Sequence, residues 1–259
     1  MARNILITGG ARRLGAVLVR NLAARGDRIV LHHNRSAAEA LAVQEEVRAA
    51  GGVCELLRAD LTSLDQRDGL IDAAADALGG LDALVNNAAL FDYDTLDGLT
   101  DARWAAHLAL NLTAPVFLIR DLLRRVTESG GPDPVAVNIL DHKINSPNPD
   151  YFSYTAAKTG LAGLTEALAL AASPRLRVCG VAPGLIYPSG PQTEADFRAA
   201  VAATPLGRTN TPEDVARAVC FVLDTASFHG RILTVDGGES LVGRARDVAF
   251  DPTVNGHRA

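Results

Sequence analysis

Short runs of Ile, Leu, Val and Ala recur along the chain, and between them apolar residues return every three or four positions. The runs read as strands buried on both faces, and the periodic stretches as amphipathic helices that cover them. Strands are expected at 4–8, 28–33, 53–58, 81–86, 135–140, 176–181 and 232–235, and helices at 14–25, 37–50, 64–78, 101–128, 152–172 and 212–225. Gly26 and the Ser173-Pro174 pair stand where two of these helices should stop, since glycine takes a left-handed cap and proline cannot continue a helix. Strand and helix in alternation build βαβ units, so the expected fold class is α/β: a single-domain, doubly wound parallel sheet of about seven strands with helices on both faces.

The joints Gly130-Gly131-Pro132-Asp133-Pro134 and Ser146-Pro147-Asn148-Pro149 are short and read as turns inside one domain. Residues 184–211 are different, with one helical stretch at 194–202, and read either as a substrate loop over a ligand crevice or as plain surface. The expected division is a catalytic domain over 1–243 and a weakly patterned tail over 244–259, which is either disordered or packed on a neighbouring subunit.

Composition narrows the partners. The 259 residues are 48% apolar and 21% charged, enough for one large core. A net charge of −5 disfavours nucleic acid, which leaves a small molecule and copies of the chain itself as expected partners. Cys54, Cys179 and Cys220 lie far apart in apolar stretches and read as reduced core residues, and no zinc-type spacing occurs, so no metal is expected. The N-terminus carries no leader pattern and no apolar run reaches the ~18 residues of a membrane span, so a cytoplasmic location is expected.

The first strand runs into Thr8-Gly9-Gly10-Ala11-Arg12-Arg13-Leu14-Gly15 and at once into a helix. Small residues there let the backbone approach a pyrophosphate, and the helix N-terminus offers free N–H groups. An NAD-preferring site would carry an acid about 20 residues further on, at the end of the second strand. Here that end reads His32-His33-Asn34-Arg35-Ser36, with no carboxylate. Guanidinium, imidazole and hydroxyl donors suit a 2′-phosphate, so NADPH/NADP+ is the expected cofactor, with Arg12 and Arg13 close by. Ser36 serves equally as a helix cap, and Asp60, beside Leu61 after the third strand, reads equally as an adenine partner or a cap.

Tyr154 and Lys158 stand four apart on one face of a predicted helix. A nearby ammonium favours phenolate, so Lys158 is expected to lower the Tyr154 pKa and make it a usable acid near neutral pH. With the phosphate turn, Asp60-Leu61, Asn86-Asn87-Ala88, Asn111, Pro183-Gly184 and Asp236-Gly237-Gly238 in this order, the chain resembles the short-chain dehydrogenase/reductase family up to Leu241. The resemblance implies a Rossmann-type fold and a homotetramer joined through helices 101–128 and 152–172. It makes Tyr154 the general acid/base, has Lys158 also bind the nicotinamide ribose, and gives Asn111 a water-mediated proton relay. It places Thr8, Gly9, Leu14, Gly15, His33, Asn87, Ala88, Pro183 and Gly184 against the cofactor, beside the arginines already named.

Two departures from the common pattern resemble the pteridine reductase branch, which includes dihydromonapterin reductases. Arg13 replaces a glycine, and Asp141 replaces the catalytic serine thirteen residues before Tyr154. The resemblance then implies a pterin substrate, with Phe91 stacking the ring and Arg13 and Asp141 meeting its nitrogen-rich edge. Beside Tyr154, the Asp141 charge would oppose Tyr ionisation and partly offset Lys158. The rival expectation is a carbonyl reductase of the same fold, and a remote one a non-catalytic NADPH sensor.

Overall fold

The structure, a computed structural model, describes residues 2–129, 133–190, 192–208, 210–251 and 254; the turn at 130–132 and most of the end of the tail lie outside these. Seven parallel strands form one sheet in the order β3-β2-β1-β4-β5-β6-β7. They are β1 Asn4–Ile7, β2 Arg28–His33, β3 Val53–Arg58, β4 Ala83–Asn86, β5 Val135–Ile139, β6 Arg177–Pro183 and β7 Ile232–Val235. Successive strand residues point to opposite faces. Ile5, Ile7, Ile29, Leu31, Val85 and Val137 therefore pack on one side against helices α1 (Arg13–Ala24), α2 (Ala37–Ala49) and α9 (Pro212–Asp224). Leu6, Val30, Leu84, Ala136 and Val178 pack on the other side, against α4 (Leu70–Leu78), α6 (Ala114–Ser129) and α7 (Phe152–Ala172).

Two helical expectations change. The stretch 64–78 splits into α3 (Leu64–Arg67) and α4 because Gly69 interrupts it. The stretch 101–128 runs as α5 (Asp101–Leu108), one π-helical turn over Ala109–Thr113 and then α6. By length and composition alone Asp101–Val126 is long and apolar enough to cross a membrane, although no unbroken apolar run within it reaches the ~18 residues of a membrane span. In this fold Leu118, Ile119 and Leu122 of that helix are buried in the core. The 184–211 segment holds α8 (Glu194–Ala202), whose Thr193 and Asp196 form a capping box.

The strand order reverses direction between β1 and β4, which opens a crevice beyond the carboxyl ends of the strands. Every loop that carries a candidate residue leaves from that end.

Candidate active site

The turn between β1 and α1 is folded tightly against the end of β4. Gly9 has φ +64°, and a Cβ there would sit 2.9 Å from the Ala88 Cα; a Cβ on Gly15 would strike the Gly9 carbonyl and come within 2.7 Å of Asn87 Nδ2. Asn87 Nδ2 donates to the carbonyls of Thr8 (2.9 Å) and Gly9 (3.1 Å). Thr8 Oγ1 accepts from the backbone N–H groups of Asn87 (2.9 Å) and Ala88 (3.0 Å), so Thr8 ties two loops together and does not line the crevice. Arg13 keeps a left-handed φ of +49°, the conformation that favours the glycine it replaces.

His32 steadies this turn from β2. Its Nδ1 accepts from Gly9 N (3.2 Å) and its Nε2 faces the Ala59 carbonyl (3.0 Å), an arrangement that requires the neutral ring. Burial pushes the His32 pKa down to about 4, in agreement.

The crevice has a volume of 620 Å³, in the range of cofactor and ligand sites. Gly9, Arg12, Arg13, Leu14, Gly15, Arg35, Asp60, Leu61, Asn87, Ala88, Pro183 and Gly184 line it. Arg12 and Arg35 are exposed at its rim, and Arg12 lies 3.6 Å from Glu39. Asp60 is occupied by its own turn, accepting from Thr62 Oγ1 (2.7 Å) and Thr62 N (2.9 Å), which holds its carboxyl below the usual range. Besides Thr8, two expected cofactor residues fall elsewhere. His33 is buried and Ser36 precedes α2 without capping it through its hydroxyl; neither lines the crevice. Alternation along β2 turns His32 to the phosphate turn and so His33 to the other side.

Helix α7 brings Tyr154 and Lys158 to the crevice. Its first turn is capped remotely: Asp94 accepts from Ser153 N (3.0 Å) and Ser153 Oγ (2.5 Å), while Tyr151 enters the helix at φ +53°. In the same turn, the Tyr154 hydroxyl donates to Asp141 Oδ2 at 3.0 Å. Asp141 Oδ1 accepts from Lys143 N at 2.9 Å, so the acid after β5 both caps a 3-10 turn over His142–Ile144 and faces the tyrosine. Lys158 Nζ donates to the Ile139 carbonyl (2.6 Å) and lies 5.7 Å from the Tyr154 ring centroid.

The expected lowering of the Tyr154 pKa is reversed. Burial, and then the Asp141 charge and its hydrogen bond, raise it well above the ordinary value. Tyr154 is therefore held neutral, with its hydroxyl donating to Asp141. Burial brings Lys158 down to about 8, with the Asp141 charge opposing the change.

Asn111 is fully buried in the π-helical turn. Its Oδ1 accepts from Leu90 N and its Nδ2 donates to Leu90 O, both at 2.8 Å. Its amide thus holds the loop before Phe91, and the residue is not among those lining the crevice. Phe91 does line it, with one face stacked on Tyr151 (4.1 Å, 11°) and a T-shaped contact to Tyr154 at 4.6 Å. It remains 37% exposed, which leaves a surface for a ligand ring. Arg13 reaches across to the 184–211 segment, donating to the Pro188 carbonyl (3.3 Å) and lying 4.9 Å over the Tyr187 ring.

Among the lining residues not expected from the sequence are Lys143 and Asp247, which form an ion pair at 2.7 Å. Residues 244–251 pack on their own chain: Arg246 pairs with Asp150 at 2.7 Å, and Phe250 lies 4.7 Å from Tyr93. Position next to Asp141 was a signal for Lys143; nothing in the tail's pattern marks Asp247.

Similarity to known proteins follows the same lines. The short chain dehydrogenase family profile matches residues 3–197. The chain is 36% identical to a cis-4-hydroxycyclohexanecarboxylate dehydrogenase of Sinomonas cyclohexanicum, over 93% of this chain and 97% of that one. Among solved structures it is 37% identical to FolM alternative dihydrofolate reductase 1 from Brucella suis in complex with NADP, with a TM-score of 0.88 over 92% of this chain and 95% of that one. The corresponding Brucella canis protein, also with NADP, is 37% identical with a TM-score of 0.85, over 92% and 93%. The chain belongs to the short-chain dehydrogenase family and is an oxidoreductase of that family.

Proposed function

We propose that the protein is an NADPH-dependent reductase of a dihydropterin or dihydrofolate-like substrate, with Tyr154 as the proton donor. The observation that carries this reading is the hydrogen bond from the Tyr154 hydroxyl to Asp141 at 3.0 Å. A carbonyl substrate develops an alkoxide, which a carboxylate at that place repels. A ring nitrogen that gains a proton has no such conflict. Phe91, stacked on Tyr151, offers an aromatic surface to a bicyclic ring, and the likeness to the Brucella FolM reductases points the same way.

The residues fit the dinucleotide. The close turn at Gly9 and Gly15 leaves backbone N–H groups of the α1 N-terminus for the pyrophosphate. Exposed Arg35, with Arg12, suits a 2′-phosphate, and no acid stands at the end of β2 to repel it. When bound, NADPH supplies the hydride. Lys158 would hold the nicotinamide ribose, Asp141 accepts from and so orients the Tyr154 hydroxyl, and Tyr154 would give its proton to the substrate nitrogen. The balance is one hydride to carbon and one proton to nitrogen across a C=N bond.

The test is NADPH oxidation against dihydromonapterin, dihydrobiopterin, dihydrofolate, an acetoacetyl thioester, simple ketones and cis-4-hydroxycyclohexanecarboxylate, the last run as oxidation with NADP+. Turnover confined to pterins is expected. Turnover confined to carbonyls or the alcohol would overturn the substrate while leaving the family intact. In the same assay Arg35→Ala is expected to raise the KM for NADPH by at least about tenfold, with the KM for NADH nearly unchanged. Equal losses would overturn the 2′-phosphate assignment.

A further inference from the structure

Part of the crevice wall comes from residues 244–251, beyond the last strand, which the chemistry above does not use. Asp247 lines the crevice beside Lys143. Lys143 is buried, and its ammonium meets Asp247 Oδ2 (2.7 Å), Asn148 Oδ1 (3.1 Å) and the Asp150 carbonyl (3.0 Å), which places all its protons. Asp247 Oδ1 accepts from Ala249 N at 3.0 Å. Each carboxylate oxygen thus has one protein donor and keeps acceptor capacity toward the cavity.

The segment is held firmly. Arg246 donates twice to Asp150 (2.8 and 2.7 Å), Asp247 N donates to the same carboxylate (2.8 Å), and Arg244 pairs with Glu239 (2.6 Å) and Asp251 (3.2 Å). Phe250 packs 6.1 Å from Tyr151, the ring on which Phe91 stacks. The Asp247 charge is felt at Tyr154, where it adds to the upward shift. Besides Asp60, which is held in its own turn, the cavity therefore brings two carboxylates, Asp141 and Asp247, to bear on Tyr154, together with an aromatic surface.

We propose that Asp247 is a specificity-determining residue that accepts hydrogen bonds from the amino-substituted, amidine-like edge of a heteroaromatic substrate, and that Lys143 positions it. This rests on the pterin reading above. An analogue with a carbonyl in place of the amino group would set an acceptor against the carboxylate, and buried polar groups left unpaired in this way discriminate strongly.

The experiment compares 7,8-dihydropterin with 7,8-dihydrolumazine, which carries a 2-oxo group in place of the 2-amino group, in the full chain. The wild type is expected to favour dihydropterin by at least about tenfold in kcat/KM. Asp247→Asn is expected to cut that preference to roughly threefold or less through the dihydropterin KM, with the NADPH Kd unchanged. Lys143→Met should lower kcat/KM for both substrates by one factor and keep the preference, since the carboxylate remains. Should Asp247→Asn not fold, the double variant Lys143→Met with Asp247→Asn leaves no unpaired buried charge and reads the same ratio. A preference that survives Asp247→Asn or the double variant would overturn the inference alone. A wild type that reduces neither pteridine but reduces a carbonyl would overturn both this and the proposed function.

Discussion

At Tyr154 two opposed influences meet, and their ranking decides the role of the residue. An ammonium four residues along the helix would lower the pKa, but Lys158 Nζ is drawn to the Ile139 carbonyl at 2.6 Å while Asp141 accepts from the hydroxyl at 3.0 Å. Burial and the nearer negative charge prevail, so the phenol stays protonated. Tyr154→Phe is expected to lower kcat by roughly 10²–10⁴-fold while NADPH still binds, as checked by single-turnover kinetics and cofactor fluorescence. Activity near the wild type would remove Tyr154 as donor. In the free enzyme, kcat/KM should also fall as pH rises through about 8, where Lys158 gives up its proton.

At the scale of elements, strands place the site and loops complete it. The β1–α1 turn is held by side chains of other elements: Thr8 and Asn87 join it to β4, and His32 joins it to β2. His32 carries a consequence for stability. Unfolded, it takes a proton near pH 6.5; folded, only near pH 4, so between those values the unfolded state binds more protons and stability rises with pH. The contribution is complete above pH 6.5 and lost progressively as pH falls to about 4, on the order of 3 kcal/mol. Urea midpoints measured from pH 7 to 4 should show this slope, and His32→Gln should lack that part of it. An unchanged slope would remove His32 as its source.

Helix spans and the turn chemistry were legible at this scale because apolar periodicity and glycine carry them. The π-helical turn was not, since Ala109–Thr113 has the same apolar spacing as the helix around it. The choice between His32 and His33 was hidden for a related reason. Both are polar residues at a strand end, and only pairing with β1 and β3 decides which one faces the turn.

The whole molecule raises the question of assembly. Helix α7 leaves Leu164 (40% exposed) and Leu170 (73% exposed) outward, apolar surface on one of the two helices proposed to join subunits. We propose a homotetramer formed through the α5–α6 stretch over residues 101–128 and through α7. Light scattering of the purified chain should give about four times the 27.2 kDa of one chain, and Leu170→Glu should shift it to a smaller species. A monomeric wild type would refute the proposal.

Much of this protein was determined by local sequence. Alternating apolar runs and helical periods specify a parallel sheet between two helical layers, because such strands can be buried only that way. That Gly9, Gly15, Tyr154, Lys158 and Asp141 come together at the crevice was readable because backbone freedom, helical spacing and residue type within short segments carry that placement. Tertiary structure alone decided the protonation of Tyr154, the diversion of Asn111 to Leu90, and the return of residues 244–251 to the crevice. Each depends on groups far apart in the chain: Asp247 meets Lys143 across more than 100 residues. Burial and Coulomb energy follow distance in space, and only the closed fold sets that distance.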